Sequence, residues 1–360
     1  MQISSIAKYI DQPYVILNLQ KKMPAFLVSS ALAYGTYDTF KQPRGAKTKQ
    51  AIKNTAIFTS IIASLLYGGR KLKIGGKSVI ETPKVIETVL KQNRAIIGYL
   101  KNNTGIDATS KTILKKLKSS AISPKEIEHL QKNLPKGETR ERLFKTIFSE
   151  SNPLTSKEIF AEIGRLSALG FLPVAAGITG GIAADKITKT SSKNGTANKI
   201  KEGAYQFLAN IFLCNIGAGA ALFGIEALNR NGVIKNLTPA KKLIAILSGI
   251  TATGIVGGSF IANYLCQKFI NPIFDKHNPR GKKLYSERKP ETLDIAMHSD
   301  DIATAGVLSG FKWIEPALPL MYMLSGYRAG IGYRNNAQEP SRKNITLKDV
   351  QDTISSQKTS

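Results

Sequence analysis

The sequence predicts an all-α protein, a polytopic helical membrane bundle with an inserted basic amphipathic helical domain, on three observations. Four long apolar stretches rich in Gly and Ala crowd its second half: Leu166 to Ala184, Ala204 to Leu228, Leu243 to Ile270, and Ile302 to Tyr327. Each is near or above the ~20 residues a helix needs to cross a bilayer's hydrocarbon core. Connectors rich in Lys and Arg separate them. Glycine is also far denser within the stretches than a water-soluble helix tolerates, since each helix-interior Gly costs up to ~1 kcal/mol relative to Ala.

Residues 1–77 read as an N-terminal apolar helical hairpin. Its two runs, Met23 to Tyr37 and Thr55 to Gly69, flank a loop carrying Lys41, Arg44, Lys47, Lys49 and Lys53. At about 15 residues, or ~22 Å of helix, each run is short of a ~30 Å core. Both end in an aromatic followed by glycine, Tyr34-Gly35 and Tyr67-Gly68, which reads as a duplicated helix-terminating signal. Lys21 and Lys22 ahead of Ala25 to Val28, with Ala31 and Ala33 behind, imitate a secretory signal. The apolar core is too short and the polar leader too long for one, so an uncleaved helix is expected.

Residues 78–157 change character to a basic, water-exposed helical domain. Val85, Ile86, Val89, Leu90, Ile96, Ile97 and Leu100 recur at helical spacing with charge between them. Thr82-Pro83 and Ser123-Pro124-Lys125-Glu126 are helix starts, the second a capping box with Pro at the first helical position. Lys111 to Lys118 forms a basic amphipathic turn, read as the solvated face of a helical domain rather than a membrane-surface helix.

Residues 158–334 hold the Gly-rich transmembrane bundle, entered through a second capping box at Thr155 and Glu158. Pro173 is expected to kink the first span. The segment Lys186 to Lys201 reads as a flexible polar connector, and Thr238-Pro239 opens the third span. Asn271-Pro272 closes that span, and a long polar connector, Phe274 to Met297, leads to the fourth. Residues 335–360 form a polar tail expected to be disordered.

In lipid, helices associate through close packing and polar contacts rather than by burying apolar surface. Gly177-x-x-x-Gly181 and Gly254-x-x-x-Gly258 are GxxxG patterns suited to that approach, within one bundle or between copies of the chain. The two pentapeptides agree at four of five positions, which suits an internal repeat or the chance matching of glycine-rich text.

Polar groups inside such spans are functional candidates. Glu226 lies four residues before Arg230 and can pair with it; Asn210 and Asn215 can bond across helices. Lys312 and Glu315, three apart and beside Pro316, can neutralise one another at a kink, as a structural joint or as part of a transport path. Asp294, His298, Asp300 and Asp301 have loose metal-ligand spacing, and a helix-capping role for Asp300 or Asp301 is the expected one. Cys214 and Cys266 read as small buried residues, with no CxxC signature.

A net charge of +26 with a mean hydropathy of -0.11 describes apolar spans sharing the chain with a large basic portion. Anionic phospholipid headgroups are the expected partners, a homo-oligomer through the Gly-rich faces a further one, and nucleic acid is not expected without a binding module. No G-x-S-x-G, HExxH, Walker A or Rossmann fingerprint occurs, no cofactor is implied, and three histidines leave little for acid–base chemistry. The expected role is a non-enzymatic integral membrane protein, structural or interaction-bearing, in a bacterial-type inner membrane. A small-solute transporter or channel using Lys312 and Glu315 comes second, and a membrane-embedded enzyme third.

Overall fold

The computed structural model describes residues 9–80, 85–103, 106–148, 155–270, 272–273 and 298–332. The Thr82-Pro83 start, the whole Phe274 to Met297 connector with Asp294, and the tail 335–360 lie outside them. The described chain is all-α apart from a two-stranded antiparallel hairpin, β1 (Lys73–Ile74) and β2 (Lys77–Ser78), which turns through two glycines with positive φ, Gly75 and Gly76.

Helix α1 (Pro13–Lys41) starts with Pro at its first turn and runs 29 residues. A turn through Arg44–Ala46 leads to α2 (Lys47–Ala63), which continues through a π-helical turn, Ser64–Gly68, and a last turn, Gly69–Lys71. The expected stop signals at Tyr34-Gly35 and Tyr67-Gly68 stop neither helix. Gly35 instead lies against Asn54 and Phe58, and Gly68 against Leu172, so these glycines serve close packing rather than termination.

Four short helices follow: α3 (Val85–Lys101), α4 (Ala108–Lys116), α5 (Pro124–Asn133) and α6 (Glu138–Ile147). They share a core of their own, formed by Ile96, Leu100, Ile113, Leu117, Ile127, Leu130, Leu143 and Ile147. The Ser123 hydroxyl and the Glu126 carboxylate close their box reciprocally at the start of α5. Asp107 accepts the Ser110 N–H to cap α4, whose Ile113 is buried while Lys111, Lys115 and Lys116 face outward.

The main bundle begins at the Thr155–Glu158 box with α7 (Ser156–Ile187), 32 residues through Pro173. Next comes α8 (Lys193–Phe207), passing through a π turn, Leu208–Phe212, into α9 (Leu213–Arg230). The polar connector expected up to Lys201 is therefore shorter. Ser192 caps α8 through the Gly195 N–H, and Lys199, Lys201 and Glu202 are already buried.

Among the described residues, three helical rods are long and apolar enough to cross a membrane, fewer than the four expected: Arg44–Lys71, Ser156–Ile187 and Gly195–Arg230. The first was read as too short because its apolar run occupies only its second half. The stretch from Leu243 to Ile270 falls short because it is interrupted: α10 (Pro239–Ile250), a π turn (Thr251–Val256), a break at Gly257, α11 (Gly258–Leu265) and another π turn (Cys266–Ile270).

The stretch from Ile302 to Tyr327 is likewise two helices. α12 (Ser299–Ser309) ends at Gly310, whose φ of 113° is open to glycine at little cost. A 3-10 turn, Lys312–Ala317, then leads into α13 (Leu318–Ile331), with Pro316 and Pro319 at the joint. Proline denies a backbone donor at both positions, so the kink expected there becomes a full break.

The core of the bundle sits where α13 lies along α7, with α2 and α8 flanking it. Gly177 and Gly181 face Gly326 and Gly330, GxxxG against GxxxG. A Cβ added at Gly177 would stand 1.9 Å from the Gly326 carbonyl oxygen, and one at Gly181 2.0 Å from that of Gly330. Gly217 and Gly249 make a second crossing between α9 and α10, where an added Cβ would stand 2.5 and 2.3 Å from the opposing carbonyl oxygen.

Candidate functional site: the polar interior of the bundle

Ionisable and amide side chains line the inside of the bundle in three connected groups. The first is at the N-terminal end of α7. Arg165, 2% exposed, donates to Glu315 at 2.6 Å, to Glu162 at 2.5 Å and to the Val79 carbonyl at 2.7 Å. It thereby ties α7 to the β-hairpin and to the 3-10 turn. Glu315 takes Arg165 of α7 as its hydrogen-bonded partner rather than the expected Lys312, because Glu315 is buried against α7 while Lys312 is only half-buried. Beside it, Asp11 accepts the Trp313 N–H at 3.0 Å, and burial pushes the Asp11 carboxyl up to about 6 against the pull of that bond and of Lys312.

The second group climbs one face of α8 and α9. Glu202, Gln206, Asn210 and Cys214 recur every four residues, and all four are buried. Gln206 donates to Glu202 and Asn210 donates to Gln206, each at 2.8 Å. At the top, Cys214 Sγ lies 3.9 Å from His298 Nδ1, which lies 2.5 Å from Asp301 Oδ2. Asn215 bonds Ser167 of α7 at 3.0 Å.

The third group is at the far end of α7. Asp185 takes Lys199 at 2.5 Å and Lys53 at 2.9 Å. Asp38 accepts from Gln50, Asn54 and Tyr327 at 2.7, 3.0 and 2.9 Å. Asp38, Gln50, Lys53, Asp185, Lys199 and Tyr327, with Gly181 and Gly330, line a cavity of about 400 Å³.

The sequence candidates fall as follows. Glu226 pairs with Lys242 of α10 at 2.5 Å rather than with Arg230, because Glu226 faces inward and Arg230 ends the helix in solvent. Asn210 and Asn215 sit on the two sides of α8–α9 described above. Gly177 and Gly181 face α13, while Gly254 faces Cys214 and Gly258 faces the Ala209 backbone. Asp300 and Asp301 lie in the first turn of α12 with His298 at the cap position, so the capping role expected of them gives way to a first-turn one. Asp294 is outside the described residues.

Arg165, Asp185, Glu202, Gln206 and Cys214 were missed as parts of networks. Only the i, i+4 spacing of Glu202, Gln206 and Asn210 was visible in the chain.

A Cys, a His and an Asp in one place invite a catalytic reading, and the geometry opposes it. A relay needs the acid on one imidazole nitrogen and the nucleophile on the other. Here Asp301 and Cys214 both approach Nδ1, and all three residues are buried. Comparison with protein families, with curated proteins and with solved structures gives no match.

Proposed function

We propose that the chain is a non-enzymatic integral membrane protein with a structural or interaction role, in a bacterial-type inner membrane, presenting its basic helical domain to anionic headgroups. The carrying observation is the inverted polarity of the bundle: ionisable pairs inside and large apolar side chains outside. Phe26, Val28, Leu32, Phe160, Phe171, Phe212, Ile216, Phe223, Ile244 and Phe260 are all exposed. In water that arrangement wastes both kinds of residue; in lipid it suits both.

Lysine-on-aromatic contacts support the same reading. Lys47 lies over Phe40 and Lys71 over Tyr67, at the two ends of the α2 rod. From Lys47 to Tyr67 is about 20 residues, hence about 30 Å of helix, the thickness of a hydrocarbon core. Amphipathic rings and snorkelling lysines belong at those two depths. The interrupted stretches α10–α11 and α12–α13 then complete the bundle.

The structural role rests on closure. Glu315, Glu226, Asn210 and Asn215 each have a bonded partner, and the glycine faces are in backbone contact. A transporter reading would move from Lys312 and Glu315 to the cavity beside Asp185, which is the one observation in its favour.

The test is fractionation followed by labelling. The chain should remain with membranes through carbonate extraction, and single cysteines at Thr196 and Gly232, opposite ends of one rod, should react from opposite sides. Recovery in the soluble fraction without detergent, or labelling of both from one side, would overturn the proposal.

A further inference from the structure

We propose that Cys214, His298 and Asp301 form a site for a divalent transition metal of the zinc class. Their ligand atoms lie within 4.8 Å of one another, and all three residues are buried. Thiolate, imidazole and carboxylate are the donor set that suits a borderline ion such as Zn2+, and that magnesium or calcium would not choose. Tetrahedral bonds of 2.0–2.3 Å put ligand atoms about 3.3–3.8 Å apart. The Sγ to Nδ1 distance of 3.9 Å closes by about 0.1 Å or more, and Nδ1 to Oδ2, now 2.5 Å, opens by about 0.8 Å when an ion replaces the shared proton.

The surroundings are built around the sulfur. Gly254, in the π turn after α10, leaves room there: a Cβ at that position would stand 2.0 Å from Cys214 Sγ. The Cys214 end of the site follows a second π turn, Leu208–Phe212, and π turns recur where helices are distorted to aim side chains. Acids in the first turn of α12 are explained by the helix dipole alone. That dipole does not explain why a thiol 84 residues away converges on the same imidazole nitrogen.

Three protein ligands leave a fourth position on a tetrahedral ion. On binding, the Cys214 S–H bond breaks and the sulfur keeps the electron pair as a thiolate ligand; the proton shared by His298 Nδ1 and Asp301 Oδ2 is displaced as well, and both protons leave to solvent. The ion links α9 to α12, joining the polar ladder of α8–α9 to the broken helix.

The test uses the full chain in detergent, stripped with chelator and titrated with Co2+ and then Zn2+. The expected result is one Co2+ per chain, a thiolate-to-cobalt charge-transfer band, and loss of that band as Zn2+ displaces it. Cys214→Ser should abolish the band, and Cys266→Ser should keep it. His298→Gln and Asp301→Asn, which leave the sulfur in place, should weaken affinity beyond the 10- to 100-fold of an outer-shell change. They carry the test if Cys214→Ser does not fold. No band in the wild-type chain, a band that survives Cys214→Ser, or one lost equally in Cys266→Ser would overturn the site.

Discussion

Changing Gly177 to Ala tests the contact on which the bundle turns. The new Cβ would lie 1.9 Å from the Gly326 carbonyl oxygen, and ordinary van der Waals contact begins at about 3.4 Å. Because the obstacle is backbone, no side chain can swing aside, and α13 must withdraw from α7 by about 1.5 Å. A radial gap of 0.5–1 Å already forfeits a quarter to a half of each dispersion contact along the seam. Overpacking in a tight interior costs about 1–3 kcal/mol, and a backbone collision belongs at or above the upper end, about 3 kcal/mol. For a chain of this size that corresponds to a fall of about 4 °C in Tm. Trp313, the single tryptophan, sits in the turn leading into α13 and reports the melt by fluorescence in detergent. Gly224→Ala is the internal control: nothing lies within 4 Å of its added Cβ, so the helix should gain up to ~1 kcal/mol. If Gly177→Ala melts with Gly224→Ala, the two helices do not meet through this face and the reasoning fails.

Arg165→Met and Glu315→Leu should each lower stability by about 3–5 kcal/mol by leaving a buried charge unpaired, and the double variant should recover most of the loss. Additive losses in the same melt would show that the pair is not coupled. The Asp11 carboxyl, raised by burial to about 6, holds its proton more tightly folded than unfolded. Its contribution is therefore complete below about pH 4 and lost as pH rises through about 6, by up to about 3 kcal/mol. Asp11→Asn, which still accepts the Trp313 N–H, should remove that decline; an unchanged pH profile of Tm would show that Asp11 does not titrate there.

What could be read from the chain was local chemistry. The capping boxes at Ser123 and Thr155 and the Thr238-Pro239 start are written within four residues, and the structure begins helices at each. The GxxxG of Gly177 and Gly181 was visible as a small face, but its partner, Gly326 and Gly330, lay at and just past the end of a stretch taken for one kinked helix. That error came from averaging hydropathy across Gly310 to Pro319, where a left-handed glycine and two prolines outweigh apolar composition. The partners of Glu315 and Glu226 were misassigned for one reason: nearest neighbours in sequence were preferred to Arg165 and Lys242, and no spacing rule reaches across a bundle. Cys214 beside His298 is the same case at longer range.

The seam between α7 and α13 also sets an order of assembly. Its halves are about 150 residues apart, so when α7 leaves the ribosome the groove at Gly177 and Gly181 has no occupant, and none can arrive until residue 331 has been made. Meanwhile Asp38 and Asn54 lack the Tyr327 hydroxyl that α13 brings, and the wedge that α13 fills between α2 and α8 is empty. The insertion of α13 is then a single late event that closes the wedge, satisfies Asp38 through Tyr327 and completes the cavity wall at Gly330. A nascent chain stalled before α13 would be the species that quality-control proteases recognise, however well its earlier helices had been inserted.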